Sequence, residues 1–332
     1  MIKTAVGVDH ILKSEPILKP KVWGGRRLWT VLGKHLPADQ KIGESWEVAD
    51  IPEGTSRIGN GVHAGQTLHE VVQEHSEDFT SGCKSFPLLV KFIDVTRDTS
   101  IQVHPDAETC RRSFPLARPK TETWIVIDAE PDASVYHGLR PGCSHDEFSR
   151  RAHDGTVEQC LRRVPVSVGD VIHVPAGTVH ALLAGVLVLE IQEPSDTTFR
   201  LEDRGRTGEE ARELQIEQAI ESVRPEEVPA KITADSDEFQ WGECQTLVDT
   251  DAYAVHRMFL RGKLCWSMAR EWPLVATIVS GQAVIRCQQW MGTGRMGDTF
   301  IIPPRLGEAN VEPDDDCTVV IAEPKSCSSQ RP

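Results

Sequence analysis

No hydrophobic run in this sequence is long enough to cross a bilayer. The longest, Ala181 to Leu189, spans only nine residues, against about 20 for a spanning helix. The first ten residues, Met1 to His10, contain no apolar stretch of the kind that marks a secretory signal. Paired cysteines are also missing. Nine cysteines lie at positions 83, 110, 143, 160, 244, 265, 287, 317 and 327, and none forms a Cys-x-x-Cys pair. That pattern excludes a structural zinc ribbon and reads as reduced thiols in a cytoplasmic protein. Positive charge is short as well. With 36 Lys and Arg against 50 Asp and Glu, the formal net charge is −14, which argues against nucleic acid as a partner. A small anionic substrate would then need a local basic pocket.

What remains is ordinary for a soluble globular protein: 332 residues, 39% hydrophobic and 26% charged. That length suits two ordinary domains or one large one. Strand-like segments dominate: Phe86 to Asp94, Trp124 to Asp128, Ser134 to Tyr136, Asp170 to Val174 and Val186 to Ile191. Gly, Pro and Asp clusters separate them, which predicts an all-β sandwich or barrel. Two helices are expected. One covers Leu68 to His75. The other runs from about Gly208 to Val223, with capping-box spacing at Thr207 to Glu210 and apolar positions at Ile216, Ala219, Ile220 and Val223. Pro225 would stop it. The acidic stretch from Arg224 to Asp237 reads as a linker, followed by a second β-rich segment. The expected domains are therefore residues 1–230 and 231–332.

The second segment echoes the first. Gly297-Asp-Thr-Phe-Ile-Ile-Pro303 repeats the Gly-Asp-x4-Pro pattern of Gly169 to Pro175. The echo then fades, with Arg305 where Gly177 would be and Glu308 where His180 would be. Metal donors are expected in the first copy alone.

Three places supply those donors. Residues two apart on a strand share a face, so Gln102 and His104 point the same way, as do Lys120, Glu122 and Trp124. His180 follows a Pro175-x-Gly177 turn that can bend the chain back towards the sheet. Taken singly, His104 reads as a strand end and Glu122 as a solvated rim carboxylate. Together, two imidazoles, a carboxylate and an amide oxygen suit zinc or another first-row divalent metal. His173 is not expected to touch the metal, and His69 and His75 are expected at the surface. His10, His35, His63, His137, His145, His153 and His256 show no partner pattern.

The motif Gly169-x5-Pro175-x-Gly177-x2-His180 resembles the second signature of the cupin superfamily. With Gln102-Val-His104 and Glu122 in place of the first signature, the chain is similar to the type I mannose-6-phosphate isomerases, in their shorter bacterial form. Further segments fit that family in order: Lys19 to Gly25, Gly43 to Glu47, Phe86 to Asp94, Ser100 to Pro105, Lys120 to Trp124 and Asp196 to Arg200. The resemblance is strong over residues 15–225 and weak beyond. Val22 and Ala184 depart from the family or superfamily pattern without removing a donor.

The resemblance implies two cupin-type jelly-roll domains with a few helices. It implies one zinc ion per chain, held by His104, Glu122, His180 and Gln102. It implies that Arg200 is catalytic, that Lys120 and Glu190 occupy polar active-site positions, and that Ser100 lies near a substrate phosphate. The implied reaction interconverts mannose 6-phosphate and fructose 6-phosphate through an enediol.

Glu190 also stands out from the residues alone. It ends an apolar run buried on both faces, where a carboxylate has a raised pKa unless it is paired. Such a group is tuned for general acid or base work. The sequence leaves open whether Lys120 or Glu190 is the base. Two other functions fit parts of the pattern. One is a non-catalytic carbohydrate-binding cupin with a structural metal. The other is an iron dioxygenase, against which Gln102 and the neighbouring motifs weigh.

Overall fold

The Val186–Gln192 strand is buried at every position, and side-chain alternation gives the reason. Leu187, Leu189 and Ile191 point to one face and join a core that includes Tyr253, Val255, Val320 and Ala322. Val186 and Val188 point to the other and meet Val135 and Leu182. The strand thus lies in a sheet covered on both sides, which is why its sequence is a near-continuous apolar run.

The computed structural model describes residues 7–224, 230–266 and 270–327. Its strands pair antiparallel throughout. One six-stranded sheet has the order Val171–Val174, Glu122–Ala129, Val186–Gln192, Leu89–Val95, Ile42–Val48, Ile17–Gly25. It faces a five-stranded sheet of Leu161–Pro165, Ser134–Leu139, His180–Leu182, Ile101–Val103 and Phe199–Glu202. Trp23, Trp124, Ile172 and Leu182 fill the space between them. The outer face of the five-stranded sheet is covered by the helices His145–His153 and Ile216–Ser222, through Phe148, Ala152 and Ala219.

A second sandwich follows. Its eight-stranded sheet carries Leu274–Ser280 and Thr299–Ile302, and a four-stranded sheet packs on it through Ala283, Ile285, Phe300 and Val311. The eight-stranded sheet packs its other face against the back of the six-stranded one. The two halves are also stitched through the backbone, since Leu12 and Lys13 pair with Ile301 and Phe300. The mainly β, cupin-type sandwich expected from the sequence is thus observed.

The internal echo is structural at its turn. Gly169 and Gly297 both take positive φ, 88° and 91°, where glycine avoids the Cβ penalty. In each copy the next aspartate accepts a hydrogen bond from the backbone three residues before it: Ser167 N–H to Asp170 at 2.8 Å, and Arg295 N–H to Asp298 at 3.1 Å. A strand follows in both.

Several expectations need correction. The helix expected at 208–223 is broken. Residues Gly208–Glu210 form a 3-10 turn and only Ile216–Ser222 is α-helical. The backbone N–H groups between them have other partners: Arg212 donates to Asp203 at 2.9 Å and Gln215 to the Arg200 carbonyl at 2.9 Å. Thr207 makes no capping bond. Pro225 lies outside the described residues, as does part of the 224–237 linker, whose end is already strand at Ser236–Phe239. The first helix, expected over Leu68 to His75, is followed by a further turn to Phe79 across a kink at His75, where the backbone is non-helical (φ −130°, ψ 23°), and its N-terminus carries a capping box between Thr67 and Glu70. His75 is not a surface residue. It packs edge-on against His63, which in turn stacks on His10. Finally, not every thiol is free. Cys83 and Cys327 form a disulfide with Cα atoms 6.0 Å apart, across 244 residues of sequence. No spacing rule reaches that far.

Candidate metal and active site

The turn at Pro175–Gly177 places the last donor. Gly177 has φ of 89°, and a Cβ there would meet Arg224 Cγ at 2.5 Å. Its N–H donates to the His104 carbonyl at 2.7 Å. The turn is therefore tied to the strand that carries His104, and His180 enters the sheet three residues later, directly opposite Gln102.

His104, Glu122 and His180 converge. All three are buried, and one ligand atom from each lies within 4.8 Å of the others; among the described residues no other such group of histidine, cysteine or acidic side chains occurs. The two Nε2 atoms approach the carboxylate at 3.4 and 3.2 Å. Each ring has its other nitrogen held by a carbonyl: His104 Nδ1–H donates to Thr197 O at 2.7 Å and His180 Nδ1–H to Thr178 O at 2.8 Å. That choice of tautomer leaves both Nε2 lone pairs aimed at Glu122, the usual preparation of an imidazole for metal. Both carboxylate oxygens of Glu122 are buried without a well-directed hydrogen bond. Two imidazole nitrogens and a buried carboxylate fit a divalent zinc-type ion. Burial lowers the His104 pKa to about 3, and the nearby Lys120 ammonium adds to this. Burial alone would push Glu122 up, but Lys120 and the two imidazoles hold it well below the usual carboxylate range. The donors are thus in their metal-ready protonation states at neutral pH.

Gln102 adjoins this group. Its Nε2 lies 3.2 Å from His180 Nε2, and its Oε1 accepts from Ser100 Oγ at 3.0 Å. In this orientation the amide presents nitrogen to the centre. A half-turn about its terminal bond would present oxygen and let Nε2 donate to Ser100. Lys120 Nζ stands 2.8 Å from Glu122 and 3.2 Å from His104 Nε2. His173 lies apart, hydrogen-bonded to Thr123.

The register of the two facing sheets assembles the rest. Across the five-stranded sheet, Arg200, Gln102, His180 and His137 occupy one row of directly opposed residues. Across the six-stranded sheet, Lys91, Glu190 and Trp124 occupy another. Both rows contribute to one cavity, with an empty volume of about 590 Å³, lined also by Ser100, Lys120 and Glu122. Every site residue expected from the sequence lines this cavity except His104, which contacts the lining residues Lys120 and Glu122.

Glu190 is paired, as one of its two possible readings required, though to a residue the sequence reading did not single out. Its carboxylate bonds Lys91 Nζ at 2.6 Å and accepts from Trp124 Nε1 at 2.8 Å. Burial and the nearby Glu122 charge still push Glu190 up, against Lys91 and Lys120. Burial would lower Lys91, but Glu190 and Glu44 outweigh it and hold the ammonium above its ordinary range. The signal for Lys91 was available: a lysine within the fully buried Leu89–Val95 strand, whose other members apart from Asp94 are apolar, in the same phase as Ile93. Lys21, Glu44 and Arg212 were also missed.

Arg200 has no ion pair or side-chain hydrogen bond among the described residues, and its Nε is buried without a partner. Burial, and then the neighbouring Arg212, lower its pKa below the usual guanidinium value. An unpaired, half-buried guanidinium in a cavity is a standing anion site.

Comparisons with known proteins agree with this geometry. Residues 11–137 match the family described as phosphomannose isomerase type I, catalytic domain. The chain is 33% identical over 310 residues to mannose-6-phosphate isomerase ManA of Bacillus subtilis, covering 92% of this chain and 96% of the relative. A crystal structure of the mannose 6-phosphate isomerase from Bacillus subtilis superposes with a TM-score of 0.86 at 30% identity, over 94% of this chain and 99% of that one. A zinc-bound mannose 6-phosphate isomerase structure shares the fold at a TM-score of 0.76 and 15% identity, over 95% of this chain and all (100%) of that one.

Proposed function

The chain belongs to the type I phosphomannose isomerase family, and from that premise we propose how its residues divide the work of a zinc-dependent mannose-6-phosphate isomerase. The observation that carries the proposal is the pairing of two things in one cavity: a buried His104–Glu122–His180 group with both imidazole tautomers fixed, and an unpaired Arg200 in the same row as Gln102.

The reaction interconverts mannose 6-phosphate and fructose 6-phosphate by moving a proton between C2 and C1 through an enediol. His104, Glu122 and His180 would hold the zinc ion, with Gln102 as a further ligand through its amide oxygen. When bound, zinc supplies Lewis acidity towards the sugar oxygens. Arg200 stabilises the oxyanion that develops as C2 or C1 loses its proton, because its guanidinium is charged, partly desolvated and not already neutralised. Glu190 and Lys120 are the proton-handling groups. Glu190 is held against Lys91 and Trp124 with a raised pKa, so it is a stronger base than an exposed carboxylate. Lys120 reaches the donor group itself and is placed to move a proton near the sugar oxygens. Ser100, whose hydroxyl donates to Gln102 Oε1, lines the same cavity and would lie near the substrate phosphate.

The division into residues 1–230 and 231–332 belongs to the same proposal, with the second sandwich acting as a wall behind the catalytic one. So does a cytoplasmic location, since sugar phosphates are charged and stay in the compartment that makes them. The described helices include none long and apolar enough to cross a membrane.

The test is a coupled assay on mannose 6-phosphate with metal-quantified protein, before and after chelation. Turnover that is lost with zinc and restored by it supports the reading. Stoichiometric zinc without turnover would instead identify a non-catalytic carbohydrate-binding protein.

A further inference from the structure

The charges around the cavity are unevenly matched. Five cations line it: Lys21, Lys91, Lys120, Arg200 and Arg212. Each lysine has its own carboxylate, Glu44 at 3.1 Å, Glu190 at 2.6 Å and Glu122 at 2.8 Å respectively. The two arginines remain. Arg200 makes no ion pair or side-chain hydrogen bond among the described residues, although Asp196, which also lines the cavity, and Asp203 lie near enough to act on its charge. Arg212 shares Asp203 with Arg206, which also bonds it at 2.9 Å. One carboxylate therefore serves two guanidinium groups. In a chain of net charge −14, the cavity keeps more cations than carboxylates even with Asp196 counted, and the arginines are the cations without a carboxylate of their own.

Arg212 is held rigidly there. Its Nε and Nη2 are locked on the Asp203 carboxylate, and its backbone N–H donates to the same residue. Its guanidinium lies over the Trp23 ring, 4.9 Å from the centroid. Asp203 is fixed in turn by Arg206, whose side chain is buried. Nη1 of Arg212 makes no hydrogen bond among the described residues and is the donor left over. The same Asp203 contacts break the helix expected at 208–223, so the loop at 211–215 exists in the form that presents this arginine. An arginine fixed in advance loses little entropy when it binds an anion.

We propose that Arg212 recognises the phosphate of the substrate, with Asp203 and Trp23 as the residues that position it. The inference rests on the isomerase reading above and deepens it. Arg200, in the row with Gln102, serves the reacting carbons, while the neighbouring Arg212, outside that row, takes the phosphate. The site would thereby separate a sugar phosphate from the free sugar, because a phosphate oxygen pairs well with a guanidinium and a hydroxyl does not.

The experiment compares zinc-loaded wild type with R212A and with R212Q, which keeps amide donors towards Asp203 but removes the charge. KM for mannose 6-phosphate should rise ~10- to 100-fold, the usual scale for a hydrogen bond to a charged group. The value of kcat should stay within about threefold, since uniform binding is what is lost. Inorganic phosphate is the independent probe. Calorimetry should show its affinity falling by a similar factor, with zinc content unchanged. A folded, zinc-replete R212Q or R212A that keeps wild-type KM and wild-type phosphate affinity would overturn the assignment. A wild type that binds inorganic phosphate but does not turn over mannose 6-phosphate would overturn the isomerase reading instead, and the two failures are distinct.

Discussion

Gln102 and His180 face each other across adjacent antiparallel strands, with Gln102 Nε2 3.2 Å from His180 Nε2. The amide is steadied from its other side by Ser100, whose hydroxyl bonds Oε1 at 3.0 Å. A hydroxyl can donate or accept, so Ser100 can support either orientation of the amide. With the amide oxygen turned to the metal, Ser100 would accept from Nε2 and fix that orientation. The S100A variant should therefore bind zinc ~10-fold more weakly, the lower end of what supporting hydrogen bonds contribute at metal sites. Chelator competition measures this without reference to turnover. An unchanged zinc affinity in S100A would remove Ser100 from the support of Gln102.

Arg200 should matter to the chemical step and not to the metal. In R200M the side chain keeps much of its length but loses charge and donors. We expect kcat to fall ~10²- to 10³-fold, the range seen when an oxyanion donor is removed. Zinc content should be unchanged, because Arg200 makes no hydrogen bond or ion pair with Glu122 or either imidazole ring among the described residues. Near-normal turnover with zinc retained would sink the assigned role.

How much of this was legible in the sequence follows from which forces are local. The strands Glu122–Ala129 and Val186–Gln192 were readable because alternation and apolar runs are local consequences of sheet burial. His104, Glu122 and His180 were readable because strand phase and a Pro-x-Gly turn fix where their side chains point. Lys91 was overlooked, although a lysine in an apolar strand signals a buried partner as clearly as Glu190 does. The 208–223 helix was misread because its local signals are real but are outweighed by Asp203, which draws the Arg212 backbone out of helical geometry. Such a long-range acceptor leaves no periodic trace. The Cys83–Cys327 disulfide is hidden for the same reason. The helix His145–His153 has a clear Ser144 cap, but only Phe148 and Ala152 are buried on it, too few for a periodic stripe.

His137 should make folding sensitive to acid. It is buried beside His180 in the same cross-strand row, with Nε2–H donated to the His173 carbonyl at 2.8 Å and Nδ1 accepting from Arg162 at 3.1 Å. Burial, with Arg162 opposing a second positive charge, lowers its pKa to about 4 from an ordinary 6.5. The unfolded chain therefore binds the proton more readily than the folded one. Stability is fully present above about pH 6.5 and declines as pH falls towards 4. The loss amounts to about 3 kcal/mol at most, from the size of the shift. In H137Q this titration is absent, so urea denaturation between pH 6.5 and 4 should show a shallower decline than in wild type. Zinc release steepens both curves, so the comparison is made on metal-free protein. Parallel declines would show that His137 is not the titrating group.

The Lys91–Glu190 pair should be worth more intact than either residue alone. Both side chains are buried, at 5% and 4% exposure, and they meet at 2.6 Å. Replacing Lys91 by Met leaves the Glu190 carboxylate in a dry site facing the charge of Glu122. Breaking a buried pair in this way costs about 3–5 kcal/mol, most of it from the stranded charge. The K91M protein should lose that much stability at neutral pH and recover part of it on mild acidification, as Glu190 takes up a proton. Adding E190Q to K91M removes the stranded charge, so the double variant should be more stable than K91M despite carrying one more substitution. Urea denaturation of the wild type and three variants closes the cycle. A double variant no more stable than K91M would mean that lost packing of the lysine stem, and not the uncompensated carboxylate, sets the cost.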